Sequence, residues 1–261
     1  MNFSLIGKNA LVGGGSAGIG RAVALELALL GANVTVLART ESSLIATKDM
    51  LDTSLGQKHG LLVADYADSL SMQMKVQMLV TQFPVHILVN NTGGPAGGPL
   101  VDAKEEDLLD AYHKHLICNH LLTKTVLPGM KETGFGRIIN IISTSVKEPI
   151  EGLGVSNTTR WAVASWAKTL SIELGCFGIT VNNVLPGFTQ TARLEEIIEK
   201  RVAKSGTPRA AVEAGLMDQV PLKRFALPKE VAAAAAFLAT PAASYINGIN
   251  LPVDGGRTKS L

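Results

Sequence analysis

Glycines are concentrated in one short turn near the start of the chain, at a spacing that suits an anion-binding loop. The run from Val12 to Gly20 follows an apolar segment and precedes a second apolar run, residues 22–30, that is typical of a helix. A strand, a glycine turn and a helix N-terminus leave free backbone N–H groups facing the turn. Glycine also lets a pyrophosphate approach the backbone, although a plain structural turn is the alternative. The residues predicted to hold such a group are Gly14, Ser16, Gly18, Ile19 and Gly20.

Two charged residues follow the next two predicted strands, where the adenosine half of a dinucleotide would lie. Arg39 comes directly after the β-branched run 33–38. An acidic residue there binds the free 2′-hydroxyl of NAD, whereas an Arg accommodates the 2′-phosphate of NADP. The sequence therefore favours NADP, unless Arg39 is only a solvated side chain. Asp65, at the end of the run 60–65, either accepts a hydrogen bond from the adenine amino group or caps the helix that begins near Asp68.

Polar residues and glycines also end the later apolar runs. The run 85–89 leads into the segment from Asn90 to Gly94, which includes Asn91 and Gly93 and predicts a second close approach of the backbone to a ligand. The run 136–142 ends at Ser143, and the run 179–185 ends at Pro186 and Gly187. Because ligands of open parallel sheets bind at the carboxyl ends of the strands, we expect these residues to share one site.

Strand and helix patterns alternate along the whole chain without a linker. Strands are predicted at 9–12, 33–38, 60–65, 85–89, 136–142, 179–185 and 249–253, and helices at about 22–30, 42–55, from 68, 104–130, 157–174 and 229–239. This alternation predicts an α/β fold, a doubly wound parallel sheet (Rossmann fold) with helices on both faces, as a single domain over 1–261. Residues 193–217 are charged, amphipathic and interrupted at 205–208, which predicts a mobile substrate lid.

The composition excludes several other classes of protein. Of 261 residues, 46% are hydrophobic and 18% are charged, with a formal net charge of +2, which is typical of a soluble globular domain. Lys and Arg form no basic stripe, so no nucleic-acid partner is expected. Neither a signal peptide nor a membrane span is recognisable, so we expect a cytoplasmic protein without a membrane partner. Cys118 and Cys176 are expected to be reduced and buried, and the spacing of His113, His115 and His120 fits no metal site.

Five motifs in one order make the chain resemble a known family. They are the glycine turn, the Asn90–Gly93 segment, the strand end at Ser143, the Pro186–Thr191 turn and the Val253–Gly256 segment. In this order they resemble the short-chain dehydrogenase/reductase family, and most closely its 3-oxoacyl-[acyl-carrier-protein] reductase-like members. The resemblance covers nearly the whole chain. It implies an NADP-dependent oxidoreductase that acts on a carbonyl or alcohol substrate, which can be a 3-oxoacyl thioester, and a homo-oligomer, either a tetramer or a dimer.

The resemblance also assigns residues to the two halves of the cofactor. The glycine turn holds the pyrophosphate, while the positions of Arg39, Asp65, Asn91 and Gly93 line the adenosine half. The positions near the nicotinamide are Pro186, Gly187 and Thr189, and the nicotinamide ribose is bound at the position of Arg160.

The catalytic set of the family is the point at which this chain departs from it. The family uses an Asn, a Ser and a Tyr-x-x-x-Lys pair. Ser143 matches the family serine, but Ser156 and Arg160 stand at the Tyr and Lys positions, and the helix alignment puts His115 at the Asn position. Two further departures are Gly13, where the family has Thr, and Thr92, where it has Ala.

These exchanges change the available acid–base chemistry. A phenol titrates near pH ~10 and an aliphatic hydroxyl is a much weaker acid, so Ser156 cannot transfer a proton as the tyrosine does. Arg160 can donate hydrogen bonds to ribose hydroxyls and supply positive charge, but it does not lose its proton. The proton source is then either His115, since histidine titrates near pH ~6.5, or a water held by Ser143, Ser156 and His115.

Two functions therefore remain open from the sequence. The first is an oxidoreductase with an atypical active site, which the retained lid and the Pro186–Thr191 turn favour. The second is a nucleotide-binding sensor or scaffold protein without turnover, which the loss of both tyrosine and lysine favours.

Overall fold

The computed structural model describes residues 1–260, and its centre is a seven-stranded parallel sheet. The strands are β1 (Asn9–Gly13), β2 (Asn33–Ala38), β3 (Gly60–Val63), β4 (Ile87–Asn90), β5 (Gly136–Ile141), β6 (Ile179–Pro186) and β7 (Asn250–Val253). They lie side by side in the order β3-β2-β1-β4-β5-β6-β7. The direction of winding reverses between β1 and β4, which is the switch point where open α/β sheets bind ligands. The predicted fold class is confirmed.

Helices cover both faces of this sheet. They are α1 (Gly18–Leu29), α2 (Glu41–Lys48), α3 (Ser69–Val80), α4 (Glu105–Tyr112), α5 (Cys118–Glu132), α6 (Gly154–Leu174), α7 (Ala192–Ser205), α8 (Arg209–Asp218) and α9 (Pro228–Ala239). One face packs against α1, α2 and α9, and the other packs against α3, α5 and α6. Since both faces are covered, the strands read as continuous apolar runs rather than alternating ones.

Three predicted helices have different limits in the structure. The helix expected over 104–130 consists of α4 and α5 joined by a π-helical segment, His113–Ile117. The helix expected from residue 157 begins at Gly154, so α6 includes the whole Ser156–Arg160 segment. The helix expected to reach residue 55 ends at Lys48, and the Asp52 carboxylate soon afterwards accepts a hydrogen bond from the Ser54 N–H, a local turn that competes with helix.

Four asparagines form a hydrogen-bonded ladder across strands β4 to β7. Each Nδ2 donates to the Oδ1 of the next residue at 2.8 Å: Asn90 to Asn140, Asn140 to Asn183, and Asn183 to Asn250. The same residues are direct neighbours in the strand register. The first three side chains are buried, so these amides bond to one another in place of water, while Asn90 Oδ1 at the start of the ladder has no partner. The ladder therefore fixes the relative positions of four strand ends.

The lid segment lies outside the sheet and has its own small apolar core. It enters and leaves through one neck, where the Gln190 N–H donates to the Ala226 carbonyl (2.9 Å) and the Ala226 N–H donates to the Phe188 carbonyl (2.8 Å). The buried residues of its core are Leu194, Ile198 and Leu216, against which Phe188, Val202, Val212 and Phe225 pack. The structure thus separates α7 and α8 from the sheet, while their mobility stays a prediction.

Other sequence expectations concern cysteines, membranes and metals. Cys118 is a buried free thiol, but Cys176 is exposed, so the expectation that both are buried was wrong for Cys176, which follows the C-terminus of α6 on the surface. Within residues 1–260, no helix is long and apolar enough to span a bilayer. The same residues contain no group of three or more His, Cys, Asp or Glu side chains that could hold a metal ion.

We expect Asn140→Leu to lower the free energy of unfolding by about 2–4 kcal/mol, because it leaves a buried donor on Asn90 and a buried acceptor on Asn183 without partners. Urea unfolding followed by circular dichroism measures this. The matched control is Asn250→Leu at the partly exposed end of the ladder, where water can replace the lost bond. An equal loss of unfolding free energy in the two variants would contradict the expectation that the buried interior of the ladder contributes more than its exposed end.

Candidate active site

The carboxyl ends of the strands bring most of the predicted site residues to one edge of the sheet. The glycine turn follows β1, Arg39 follows β2, and Asp65 lies two residues beyond β3. Asn91 and Gly93 follow β4, Ser143 follows β5, and Pro186 ends β6. Ser156 and Arg160 reach this edge on α6, and His115 reaches it in the π-helical segment. The expected convergence is therefore present.

The glycine turn packs directly against the segment after β4. Gly14 has φ +57°, and a Cβ there would lie 2.5 Å from Asn91 Nδ2 and 2.7 Å from the Asn91 carbonyl oxygen. Asn91 Nδ2 also donates a hydrogen bond to the Gly13 carbonyl at 3.2 Å. Gly18 has φ +54°, a left-handed conformation that favours glycine. A side chain at Gly14 would therefore push two parts of the site apart.

The N-terminus of α1 opens into the same turn with its N–H groups unused by side chains. Its N-cap is Ala17, which makes no side-chain capping hydrogen bond, and the first turn contains no acidic residue. In the neighbouring segment after β4, a Cβ on Gly93 would meet no atom within 4 Å, so this position faces open space. Ile19 packs its side chain on the core, so only its backbone can contact a ligand. The residues therefore fit a pyrophosphate, which needs backbone donors and close approach.

The adenosine side of the site contains one cation and one carboxylate. Arg39 is exposed beyond β2, and no carboxylate within residues 1–260 forms an ion pair with it. Asp65 accepts a hydrogen bond from the Ala67 N–H at 2.9 Å. The cap of α3 is Asp68, which accepts from the Ser71 N–H at 3.0 Å. Of the two roles considered for Asp65, helix capping is thus wrong.

Ser143 is held with its hydroxyl hydrogen free to donate. Its Oγ accepts a hydrogen bond from the Ser145 N–H at 3.0 Å. Helix α6 is fixed to the chain on both sides of Ser143, because Arg160 Nη1 donates to the Ile141 carbonyl (3.2 Å) and Trp161 Nε1 donates to the Ser145 carbonyl (2.9 Å). A serine placed in this way can donate a hydrogen bond to a substrate oxygen.

Arg160 is a buried cation, with 7% of its surface exposed. Burial and, to a smaller extent, repulsion from Arg193 together lower the pKa of Arg160 to about 10. It nevertheless remains protonated at neutral pH. No carboxylate within residues 1–260 forms an ion pair with it. The site therefore has a positive charge that the protein itself does not neutralise.

His115 does not have the properties that the sequence suggested for a proton donor. It is 1% exposed, and a hydrogen bond joins its Nδ1 to Thr92 Oγ1. Burial, followed by the positive charges of Arg160 and Lys114, lowers the pKa of His115 to about 2. The imidazole is then neutral at physiological pH and carries no extra proton to transfer. A neutral imidazole does not favour His115 as the acid, and its hydrogen bond gives Thr92, the unusual residue in its turn, a partner.

The unusual Gly13 also has a physical explanation. A Cβ at this position would collide with the hydroxyl of Tyr66, which is buried in the core below the sheet. Burial raises the pKa of Tyr66, so the phenol stays protonated. Tyr66 was not recognised from the sequence, and the only signal for it was the glycine where the family has a larger residue.

The turn after β6 differs from the prediction at the level of side chains. Only glycine fits at position 187, because a Cβ on Gly187 would lie 2.7 Å from Asp254 Cα. Thr189 is 5% exposed, and its Oγ1 donates to the Gly187 carbonyl at 3.1 Å, so this hydroxyl is used inside the turn. Thr191 instead reaches the glycine turn, with its Cγ2 3.3 Å from a Cβ placed on Gly18. Thr191 Oγ1 likewise donates within the turn, to the Thr189 carbonyl at 3.3 Å, so the contact of Thr189 with a ligand stays a prediction.

Comparisons with known proteins agree on the kind of protein that shares this arrangement. A family model described as enoyl-(acyl carrier protein) reductase matches residues 14–258. The 3-oxoacyl-[acyl-carrier-protein] reductase FabG of Haemophilus influenzae is 35% identical over 96% of this chain and 98% of its own length. The NADPH-dependent reductase BacG of Bacillus subtilis is 31% identical over 97% of this chain and 99% of its own.

A solved structure extends this likeness to three dimensions. The L-sorbose reductase of Gluconobacter frateurii, crystallised with NADPH and L-sorbose, superposes with a TM-score of 0.93 at 29% identity, covering 100% of both chains. The whole fold, including the lid segment, therefore has a counterpart in a reductase.

We expect His115 to reduce the stability of the protein in mild acid. The unfolded histidine binds a proton below about pH 6.5, whereas the folded one does not until about pH 2, so the free energy of unfolding falls as the pH falls through this window. The loss from this residue is up to about 1.4 kcal/mol per pH unit. Urea unfolding of His115→Gln between pH 6.5 and 4.5 should give a flatter dependence than the wild type.

His120→Gln, on the exposed side of α5, is the matched control for that experiment. An unchanged pH dependence in His115→Gln would show that the buried imidazole is not the group responsible.

Proposed function

The chain belongs to the short-chain dehydrogenase/reductase family, and from this premise we propose that it is an NADP-dependent oxidoreductase with an atypical active site. Its substrate is a carbonyl compound or the corresponding alcohol. The names of the relatives support 3-oxoacyl thioesters as one substrate class to test.

The glycine turn and the ends of β2, β3 and β4 would hold the cofactor. Backbone N–H groups at the N-terminus of α1 are suited to the pyrophosphate, and Arg39 is suited to the 2′-phosphate. Asn91 holds the turn closed from the other side, and the open space at Gly93 leaves room for the adenosine half. When bound, the nicotinamide supplies or accepts the hydride.

The catalytic residues of this chain act on the substrate oxygen mainly by hydrogen bonding and charge. Ser143 donates its free hydroxyl hydrogen to that oxygen, and Arg160 stabilises the negative charge that develops there. Ser156 is half-buried one helical turn before Arg160 and can hold a water. Because His115 is neutral, the proton comes from water rather than from a side chain.

One observation carries this proposal: a buried, unneutralised guanidinium lies beside the strand end that carries Ser143. A buried charge without a partner is costly, and proteins retain it where a ligand or a transition state uses it. The neutral ribose hydroxyls would use only the hydrogen bonds of Arg160, whereas the charge that develops on a substrate oxygen would also use its positive charge.

We also propose that the chain forms a homo-oligomer, either a tetramer or a dimer. Adjacent helices α4 and α6, with the π-helical segment, present large apolar side chains to solvent. These exposed residues are Leu109, Tyr112, Ile117, Trp161 and Ile172. A second copy of the chain would remove this surface from water.

We expect the purified protein to bind NADPH and to turn over at least one member of a panel of 3-oxoacyl thioesters, ketones and quinones. Fluorescence titration measures binding, and NADPH absorbance measures turnover. Removal of the guanidinium in Arg160→Met should lower kcat by about 10²–10³-fold, as the loss of a donor to a developing oxyanion does in other enzymes. Tight NADPH binding without turnover on the whole panel would instead favour the sensor or scaffold function.

We expect Arg39→Ala to reduce the preference for NADPH over NADH by about 10-fold or more, because a charge-assisted hydrogen bond to the 2′-phosphate is lost. The dissociation constants of both nucleotides, measured by fluorescence, give this ratio. Lys58→Ala is the control, since Lys58 is an exposed cation at the opposite edge of the sheet, before β3. An unchanged ratio in Arg39→Ala would refute the assignment of the 2′-phosphate to this residue.

A further inference from the structure

Arg193 joins the lid segment to the turn that follows β4. It is the second residue of α7, and its Nη2 donates a hydrogen bond to the Pro95 carbonyl at 2.6 Å. Its Nε lies 3.7 Å from a Cβ placed on Gly94. Thr191, two residues earlier, contacts the glycine turn at Gly18. The start of the lid therefore crosses the site, with Thr191 on the pyrophosphate side and Arg193 on the side of the loop after β4.

Arg193 brings a second positive charge towards the buried one. It is close enough to Arg160 for repulsion to contribute to the lowered pKa of that residue. Its ion pair with Glu196 (3.1 Å) lies on the surface of α7, where the Glu196 side chain is 56% exposed. An exposed pair of this kind contributes little and exchanges easily for another anion. The two guanidinium groups thus leave a net positive charge at the inner end of the site.

The phosphates of the proposed cofactor do not account for this charge. The pyrophosphate is assigned to the glycine turn and the 2′-phosphate to Arg39, and the latter lies beyond β2, on the far side of β1 from the strand that carries Ser143. The nicotinamide and its ribose, which the family resemblance also places at this end, carry no negative charge, so the substrate is the remaining ligand that can neutralise the two arginines. An Arg fork matches the two oxygens of a carboxylate.

We infer that the substrate is an oxo acid, or the corresponding hydroxy acid, whose carboxylate is bound by Arg193 when the lid segment is closed. This inference rests on the proposed function and narrows its substrate class. It favours a free acid over the neutral thioester of the same acyl chain. Arg193 exchanges its contact with Glu196 for one with the substrate carboxylate, while the Ser143 hydroxyl donates a hydrogen bond to the carbonyl oxygen.

The test compares acids with neutral counterparts of the same skeleton. The probes are 2-, 3- and 4-oxo acids of five or six carbons with their methyl esters, and 3-oxobutanoate with its N-acetylcysteamine thioester. Each is assayed with NADPH and the full-length protein. We expect the acid of at least one pair to have a higher kcat/KM than its neutral counterpart.

Variants at the lid identify the residue responsible. Arg193→Gln should raise KM for the preferred acid about 10- to 100-fold, as expected for the loss of hydrogen bonds to a charged group, and should leave KM for the ester and Kd for NADPH unchanged. Arg193→Lys should restore part of the effect, because it keeps the charge without the fork. Arg201→Gln, an exposed arginine on the same helix, is the matched control and should behave as the wild type.

Several outcomes would overturn the inference while leaving the proposed function standing. The first is a kcat/KM for the neutral compounds that equals or exceeds that for the acids. The second is an equal effect of Arg193→Gln on the KM for the acid and for the ester. The third is a loss of NADPH affinity in Arg193→Gln, which would assign the residue to the cofactor. If NADPH binds but no compound is turned over, calorimetric titration of the NADPH complex with the oxo acids tests whether they bind. Absence of oxo acid binding would then overturn the inference. Absence of NADPH binding would defeat the proposed function itself.

Discussion

The asparagine ladder is the interaction on which the geometry of the site depends most. Parallel strands paired only by backbone bonds can slip by one residue, which turns every side chain to the opposite face. Here amides at matching positions of β4, β5, β6 and β7 bond to one another inside the core, and a slip would leave each of them unpaired. The ladder lies at the last residue of β4 and one to three residues before the ends of β5, β6 and β7. It therefore sets the spacing of the turn after β4, of Ser143 and of the turn after β6.

Exchanges in the site come in pairs that compensate each other physically. The missing side chain at Gly13 makes room for the Tyr66 hydroxyl, and the added hydroxyl at Thr92 provides a hydrogen-bond partner for His115. Arg160 reaches the Ile141 carbonyl from α6. Such pairs indicate a site that is packed around its unusual residues. They favour an altered chemistry, in which charge and hydrogen bonds act on the substrate oxygen without a phenol.

The fold and the edge at which the site lies could be predicted from the sequence, because both follow from local patterns. The apolar runs and their glycine or polar ends located every strand, and the motif order indicated that Arg160 would lie beside the strand end that carries Ser143. The limits of helices at the surface were predicted less well. Helix limits such as Lys48 depend on a local turn at Asp52 that hydrophobic periodicity does not reveal.

What could not be predicted depends on contacts between residues far apart in the chain. The lowered pKa of His115 arises from burial beside Arg160, and no spacing along one helix reveals it. The position of Thr191 beside Gly18 depends on how the turn after β6 folds, in which both threonine hydroxyls bond to turn carbonyls. Arg193 appeared only as the first residue of a charged segment, and its significance follows from the Pro95 carbonyl nearly a hundred residues earlier.

The single neck of the lid segment determines how this part of the chain can move. Hydrogen bonds among Phe188, Gln190 and Ala226 join the entering and leaving segments to each other, so the predicted movement of the lid segment would turn both of its ends about one hinge. The small apolar core around Leu194, Ile198 and Leu216 lies within the segment and would move with it as one unit. Beyond the neck, the segment contacts the rest of the chain through Thr191 at Gly18, Arg193 at the Pro95 carbonyl and the Leu222 N–H at the Gly255 carbonyl, and a rigid-body movement would break these contacts without unfolding a helix. Ligand exchange can then occur on the microsecond to millisecond timescale of rigid-body hinge motion rather than on that of local unfolding.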